Sequence, residues 1–519
     1  MEPIHLPFSS QDLFHTETGR KALEHEVLAA YVPGRRWFGG KARQPKSFIL
    51  EELAALPGTA ESAHLALIRV EYAAGPADTY LLPLLLTNAP EAEPIARLNN
   101  GFALVDALHH ASFRGGLLRL IADARTLPLS NGAIQGERGT AFPAEVTPAA
   151  PSRVLSVEQS NSSVIFGDRI FLKLYRKLED GENPDVELIR FLSEQRHFTY
   201  VPPFCGAIEF QRPGREPQVL ALALGLVANQ GDAWAFTLSE VAAAYGRVLD
   251  KDGSGLRIPP LLSDEPDPQE TWTFVGSFAA RAHQLGVRTG QMHLALASEP
   301  EDPAFSPQPF GPAEQAVLST AVGQSVDRMT AMLHAGTVSG EFIGQLNAVI
   351  PEIRRRGAEI ATHPVQALKI RTHGDYHLGQ VLNTGTDFII IDFEGEPQRS
   401  LAARKEKQSP LRDLAGMLRS FHYAAHCELM KRTSPEEQQR LSPWAECWAQ
   451  CVGRAFLRGW LETTHGATFV PLTPEELVRL LEAFLLEKAV YEVCYELNNR
   501  PDWVKIPVQG ILGILHPVN

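Results

Sequence analysis

Arg371–Pro397, RTHGDYHLGQVLNTGTDFIIIDFEGEP, decides how the rest of this 519-residue chain is read, because it gathers polar groups at spacings set by chemistry rather than packing. His373, Gly374 and Asp375 open a loop, and Gln380 follows five residues after Asp375. The run from Asp387 to Asp392 is a short apolar strand that delivers Asp392 and Glu394 at its end. Either aspartate alone reads as a turn cap. The ordered set carries more: a carboxylate able to orient a hydroxyl, then an amide and further carboxylates. These are hard oxygen donors of the kind Mg2+ accepts in ones and twos, with phosphates and water completing its octahedron.

Phosphoryl transfer needs that combination, since it asks for little covalent help but requires an aligned hydroxyl and neutralised charge on the nucleotide oxygens. In kinases an Asp accepts the substrate proton, an amide five residues on holds a metal, and a later Asp holds metal as well. Asp375, Gln380 and Asp392 stand in that order, with Glu394 as a third possible donor.

Composition is that of a folded globular protein, 44% hydrophobic and 21% charged, long enough for two to four domains. The balance of 48 basic against 61 acidic residues, net −13, argues against nucleic acid or anionic membrane as partners. The opening MEPIHLPFSS has neither a basic nor an apolar leader region, and no apolar run reaches about 18 residues. A cytoplasmic location is expected. Five cysteines, Cys205, Cys427, Cys447, Cys451 and Cys494, read as small packing residues rather than a disulfide framework or zinc site.

Working outward, residues 1–98 mix a helical opening with strand-like pieces and form a small α+β unit. Its Arg35–Lys41 segment, RRWFGGK, reads as an aromatic anchor. Residues 99–150 look helical around ALVDALHHASFRGGLLRLIADAR and lead into a β-hairpin region over 151–232, whose end, Ala228 to Asp232, reads as a hinge. Residues 233–519 are mostly helical. The fold expected is α+β and bilobal, a β-rich lobe and a larger helical lobe, preceded by the small α+β unit.

Within the hairpins, alternation puts Lys173 on a defined strand face, placed to hold nucleotide phosphates. Asn183, Pro184 and Asp185 make a helix start, and Glu187 stands where a partner for Lys173 is expected. The polar turn Ser160, Asn161, Ser162 and Ser163 lacks a G-x-G-x-x-G pattern, but its N–H and hydroxyl groups suit phosphates. ATP and Mg2+ are the expected cofactors.

Near the C-terminus, Lys488, Glu492, Tyr495 and Asn499 recur along one helical stripe, and Trp503 offers an aromatic face. Carboxylates and amides recognise hydroxyls, and an aromatic ring covers the apolar side of a pyranose, so the stripe suits a sugar; the bland alternative is a surface helix. Arg404, Arg412, Asp413 and Arg419 read as braces for the catalytic hairpin, and His283 and His293 as packing residues.

With these residues in view, the chain resembles the maltokinases, bacterial enzymes related to aminoglycoside phosphotransferases. The likeness is carried by RRWFGGKAR (35–43), EQSNSSVIFGDRIFLKLYRKLEDGENPDVEL (158–188), HGDYHLGQVL with IDFEGEP (373–397), SPLRDLAGMLRSFHYAA (409–425) and EKAVYEVCYELNNRPDWVKIP (487–507). It implies Asp375 as base, Gln380 and Asp392 as Mg2+ ligands, Lys173 with Glu187 on the nucleotide, and an N-terminal cap over the first 98 or so residues. It also implies phosphorylation of maltose to maltose 1-phosphate, feeding α-glucan synthesis, with trehalose synthase as a possible associate. A kinase for another sugar or amino sugar such as glucosamine is the near alternative. A catalytically silent glycan-binding module is the distant one.

Overall fold

The computed structural model describes residues 3–57, 62–89, 93–155, 160–249, 258–335 and 340–515. The chain divides into two compact units, Met1–Val227 and Ala228–Asn519. The division falls at the start of the segment read as a hinge.

The first unit holds two sheets. The N-terminal sheet runs, in spatial order, Ile4–Leu6, Ala96–Leu98, Ala103–Asp106, Asp78–Thr87, Ser62–Tyr72 and Pro45–Ala55, with Lys177–Leu178 pairing against Asp78–Thr87 off this path. Only the pairing of Ile4–Leu6 with Ala96–Leu98 is parallel among the described strands. Alternation along Pro45–Ala55 buries Phe48 and Leu50 against Leu23, Val27 and Leu28 of the opening helical segment. The sheet continues through Ala103–Asp106, past the boundary expected at residue 98. Those four residues begin a stretch read as helical, whose helix is Ala111–Ala122. A short run of Ala, Leu and Val suits either element, and here strand pairing decides it. In the Arg35–Lys41 segment, Phe38 is core, while Trp37 packs on Tyr80 and lies under the Arg176 guanidinium at 5.4 Å.

The second sheet is antiparallel, in spatial order Thr126–Leu129, Gly132–Arg138, Phe204–Gln211, Gln218–Gly225, Ile170–Tyr175, Asn161–Phe166 and Ser152–Val154. Residues 156–159 of the region read as β-hairpins lie outside the described residues. Asn161 to Ser163, read as turn, are the first residues of strand Asn161–Phe166, paired across to Tyr175, Leu174 and Lys173, and only Ser160 sits at a bend. Pairing along the whole of Ile170–Tyr175 satisfies backbone groups that a polar turn would leave to water, which is why the strand starts earlier than the residue types suggest.

The second unit is helical. Phe278–Leu296, Leu411–Met430, Pro435–Thr463 and Pro474–Asn499 form its frame, with a two-stranded sheet of Gln308–Phe310 and Ala367–Lys369 and a small hairpin of Val381–Asn383 and Phe388–Ile390. Pro435 and Pro474 each occupy a first-turn position behind a Ser434 or Thr473 cap, the arrangement that satisfies free N–H groups at a helix start. Four of the five cysteines are buried and all are free thiols. Among the described residues no helix is long and apolar enough to cross a membrane.

Candidate active site

In the first unit, Lys173 Nζ lies 3.0 Å from Asp185 Oδ2, with side-chain exposures of 9% and 2%. Tyr175 donates its hydroxyl to the same oxygen at 3.1 Å. Asp185 was expected only as a first-turn acid of a helix capped by Asn183; the cap forms, and its N–H donor is Asp185 itself at 2.9 Å. Glu187, the expected partner, is buried two residues further along that helix. The lysine strand thus faces a helix start bearing two acids. Ser162 Oγ accepts from Arg176 Nε at 2.9 Å, and Arg176 also reaches Asp106 at 3.0 Å. Ser163 Oγ is buried with no hydrogen bond among the described residues. Of the four residues read as a phosphate-covering turn, Ser162 therefore serves an arginine and Ser163 lies inside the sheet.

In the second unit, the loop from His373 to Gln380 is held from below. Asp413, 1% exposed on helix Leu411–Met430, accepts from the His373 N–H at 2.8 Å and the Gly374 N–H at 3.0 Å. Gly374 adopts φ +84°, a region that suits glycine, so the turn into Asp375 needs no side chain there. His373 also bonds the Ile391 carbonyl at 2.9 Å, and Leu378 N–H donates to Ser420 Oγ at 3.1 Å. The loop is pinned on three sides, leaving Asp375 half-buried at its apex.

The short hairpin brings the other donors close. Val381 pairs with Ile390, and the Ile391 N–H donates to the Gln380 carbonyl at 3.0 Å, so Gln380 stands opposite the residue before Asp392. Asp392 has φ +65°, an uncommon conformation for a non-glycine residue and one that clusters at functional sites. Gln380, Asp392 and Glu394 are all half-buried oxygen donors. This donor chemistry fits Mg2+, which prefers oxygen ligands and keeps several positions for water and phosphate. Arg404 donates to the Glu394 carbonyl at 3.0 Å, and Asp387 is clasped by Arg288 through Nε at 2.9 Å and Nη2 at 2.7 Å.

Of the C-terminal stripe, Lys488 reaches the loop that carries Asp375. Its Nζ is 3.9 Å from Asp375 Oδ1 and 3.3 Å from Glu396 Oε1, and Arg412 lies 3.3 Å from the other Glu396 oxygen. Burial alone would lower the Lys488 pKa, but Glu396, Asp375 and Glu492 carry it above its ordinary value. Glu492 is taken up by Arg419 at 2.8 Å. Asn499 donates to the Tyr495 carbonyl of its own helix at 2.8 Å, and Tyr495 is exposed. Eleven residues separate Lys488 from Asn499, about 16 Å along a helix, so one small ligand at Asp375 does not span the whole stripe. Trp503 carries the Arg500 guanidinium over its ring at 4.2 Å.

Reading by residue type overlooked Glu396 and Glu496. Glu396 follows Asp392 and Glu394 in the chain and joins Lys488 and Arg412; Glu496, buried, accepts from Tyr423 at 3.0 Å and from Arg500 at 2.7 Å. Spacing offered a signal for Glu496, which lies one turn past Glu492. His283, read as a packing residue, is instead half-exposed and bonded to Glu462 at 2.8 Å.

Residues 31–111 match the family described as Maltokinase N-terminal cap domain. Glucosamine kinase of Streptacidiphilus jiangxiensis is 25% identical over 373 residues, covering 71% of this chain and 74% of that protein. Glucosamine kinase of Mycolicibacterium smegmatis is 24% identical over 372 residues, covering 71% and 80%. A solved glucosamine kinase in complex with glucosamine, ADP and inorganic phosphate aligns with a TM-score of 0.63 at 20% identity, over 94% of this chain and 98% of that one. That likeness establishes the fold, a sheet-rich N-terminal region and a helical C-terminal region of kinase type. The chain thus joins a segment similar to the maltokinase cap to a body whose fold is that of the solved glucosamine kinase.

Proposed function

We propose that the protein transfers the γ-phosphoryl group of ATP to the anomeric hydroxyl of maltose, giving maltose 1-phosphate by direct in-line displacement. The coarser part of this reading, a sugar kinase using ATP, is supported by the cap and by relatives named as glucosamine kinases. The observation that carries it is the loop and hairpin pinned so that Asp375, Gln380 and Asp392 are presented from one small element, with Lys488 at 3.9 Å from Asp375. Asp375 aligns the sugar hydroxyl and takes its proton as the new O–P bond forms. Gln380 and Asp392, with Glu394 beside them, are the residues that would hold Mg2+, which neutralises negative charge on the nucleotide oxygens. Lys173, oriented by the acids of the helix that follows it, is the group for nucleotide phosphates. Lys488 holds Asp375 in place and, with Glu492 and its neighbours, forms the sugar side.

The cap points to maltose, whereas two relatives that match over 71% of the chain are glucosamine kinases, so an amino-sugar kinase is the second reading. A coupled ATPase assay across maltose, glucose, glucosamine and an aminoglycoside, with and without Mg2+, separates the two. Maltose is expected to give the highest kcat/KM, abolished by chelation. Faster turnover of glucosamine would overturn the maltose assignment. A role in feeding α-glucan synthesis and an association with trehalose synthase belong to the same proposal, and co-purification of the two proteins tests the association.

A further inference from the structure

Helices Leu411–Met430 and Pro435–Thr463 lie side by side in the second unit. His422 and His426, one turn apart on the first, both face Glu446 on the second. His426 Nε2 is 2.8 Å and His422 Nε2 is 3.4 Å from the same oxygen, Glu446 Oε1. The ring centroids are 4.3 Å apart, and one ligand atom from each of the three residues falls within 4.8 Å of the others. Both histidines are 7% exposed, while the Glu446 side chain is 41% exposed.

A histidine–carboxylate hydrogen bond accounts for His426 and leaves His422 unexplained. Neither ring nitrogen of His422 makes a hydrogen bond among the described residues, although both are buried. Buried polar atoms of native proteins are nearly always satisfied, and an exception calls for a partner such as an ion. Two imidazoles converging on one carboxylate oxygen from successive turns of a helix have the spacing of metal ligands rather than of a packing contact.

We propose that His422, His426 and Glu446 bind one divalent transition-metal ion of the Zn2+ class, at a site separate from the oxygen-donor set of Gln380, Asp392 and Glu394. Imidazole nitrogens with a single carboxylate select Zn2+ over Mg2+, whose preference is for oxygen alone. Ligand atoms around a tetrahedral Zn2+ stand about 3.3 Å apart for bonds near 2.0 Å, so His422 already meets the requirement and His426 opens slightly from Glu446. The exposed side of Glu446 leaves room for water as a fourth ligand. The ion would fasten helix Leu411–Met430, which carries Asp413 and Ser420 beneath the catalytic loop, to its neighbour. This role is structural and independent of which sugar is phosphorylated.

The test uses the full chain, stripped with chelator and returned to buffer with excess Mg2+, then titrated with Zn2+ by calorimetry. One equivalent is expected to bind, raising the thermal midpoint by several degrees. Co2+ in its place is expected to give the visible bands of a tetrahedral nitrogen and oxygen site, a readout that does not depend on any variant folding. His422→Gln/His426→Gln is expected to weaken Zn2+ binding more than about a hundredfold, since even groups that merely support a ligand are worth roughly 10–100-fold. Asp392→Asn is expected to leave Zn2+ binding unchanged. Absence of a one-to-one Zn2+ complex in wild type, retained affinity in the double variant, or loss of the site in Asp392→Asn would each overturn the proposal.

Discussion

His293 Nε2 lies 3.0 Å from Asp413 Oδ2, with side chains 0% and 1% exposed. The Trp460 indole N–H donates to His293 Nδ1 at 3.0 Å, so the imidazole proton sits on Nε2 and is given to Asp413. Asp413 accepts in addition from the N–H groups of His373 and Gly374. Burial pushes its pKa upward, but the bonds from His293 and the loop outweigh this and hold it below the ordinary carboxylate value. A chain of contacts from Trp460 through His293 and Asp413 thus ends at the residues immediately before Asp375.

Breaking that chain is expected to destabilise the fold in a definite order. Asp413→Asn places an amide against three donors and should cost about 3–5 kcal/mol, the range for breaking a buried charged network. His293→Ala leaves Asp413 two of its bonds and should cost less, about 1–3 kcal/mol. Denaturant titration checks both; an Asp413→Asn midpoint equal to wild type would show that the carboxylate does not brace the loop.

Asp375→Asn removes the carboxylate proposed as proton acceptor while keeping the shape of the loop. Turnover is expected to fall by about 10²–10⁴, the usual contribution of a general base, with nucleotide affinity close to wild type. Rapid-quench kinetics paired with nucleotide titration separates the effects, and near-normal turnover would remove Asp375 from its assigned role.

Gly416→Ala tests how closely the helix approaches the loop. A Cβ at this position would stand 2.5 Å from the Tyr376 carbonyl oxygen, so backbone on one side must move. We expect kcat to drop about tenfold or more with the thermal midpoint lowered only moderately, because a displacement of about 1 Å at a catalytic group is enough for such a loss. Unchanged kcat would mean that the loop accommodates the methyl group elsewhere.

The Glu396–Lys488 pair has a pH signature. Burial alone would raise the Glu396 pKa, yet Lys488, Arg412 and Arg399 bring it below its ordinary 4.5; Lys488 is shifted above its ordinary 10.5. A lowered carboxylate pKa gives stability that is present above 4.5 and is lost as pH falls through the folded-state value. A raised lysine pKa gives stability that is present below 10.5 and is lost as pH rises through its folded-state value. The stability difference between wild type and Glu396→Gln should therefore be constant across neutral pH and shrink in acid. A difference that titrates away near pH 7 would contradict this assignment of charges.

Much of the hairpin was legible in the residues. The apolar run ending in Asp392, the turn at Gly374 and the amide of Gln380 are local in sequence, and period-2 alternation with turn chemistry is enough to find them. The capped start at Asn183 and Pro184 was likewise local, and it forms as read. The strand over Asn161 to Ser163 was not legible, because Asn and Ser resemble turn residues and only pairing with Lys173, Leu174 and Tyr175 makes them strand. The salt bridge of Lys173 with Asp185 shows the same limit, since spacing marked Asp185 only as a first-turn acid and the approach of strand to helix makes it a partner of the lysine.

By itself, the sequence determined which residue types are present and their local order: a carboxylate loop, oxygen donors after an apolar strand, and a lysine on a sheet face. Only the tertiary structure decided what stands behind and beside them. His293, which reads as an ordinary core histidine, lies 120 residues before Asp413 in the chain and is its hydrogen-bond donor. Lys488 comes to Asp375 across 113 residues, while Asn499 on the same helical stripe turns back to its own backbone. The physical reason is that periodicity fixes the face of an element, whereas the partner of a buried charge is set by how helices pack, and no residue spacing along the chain records that.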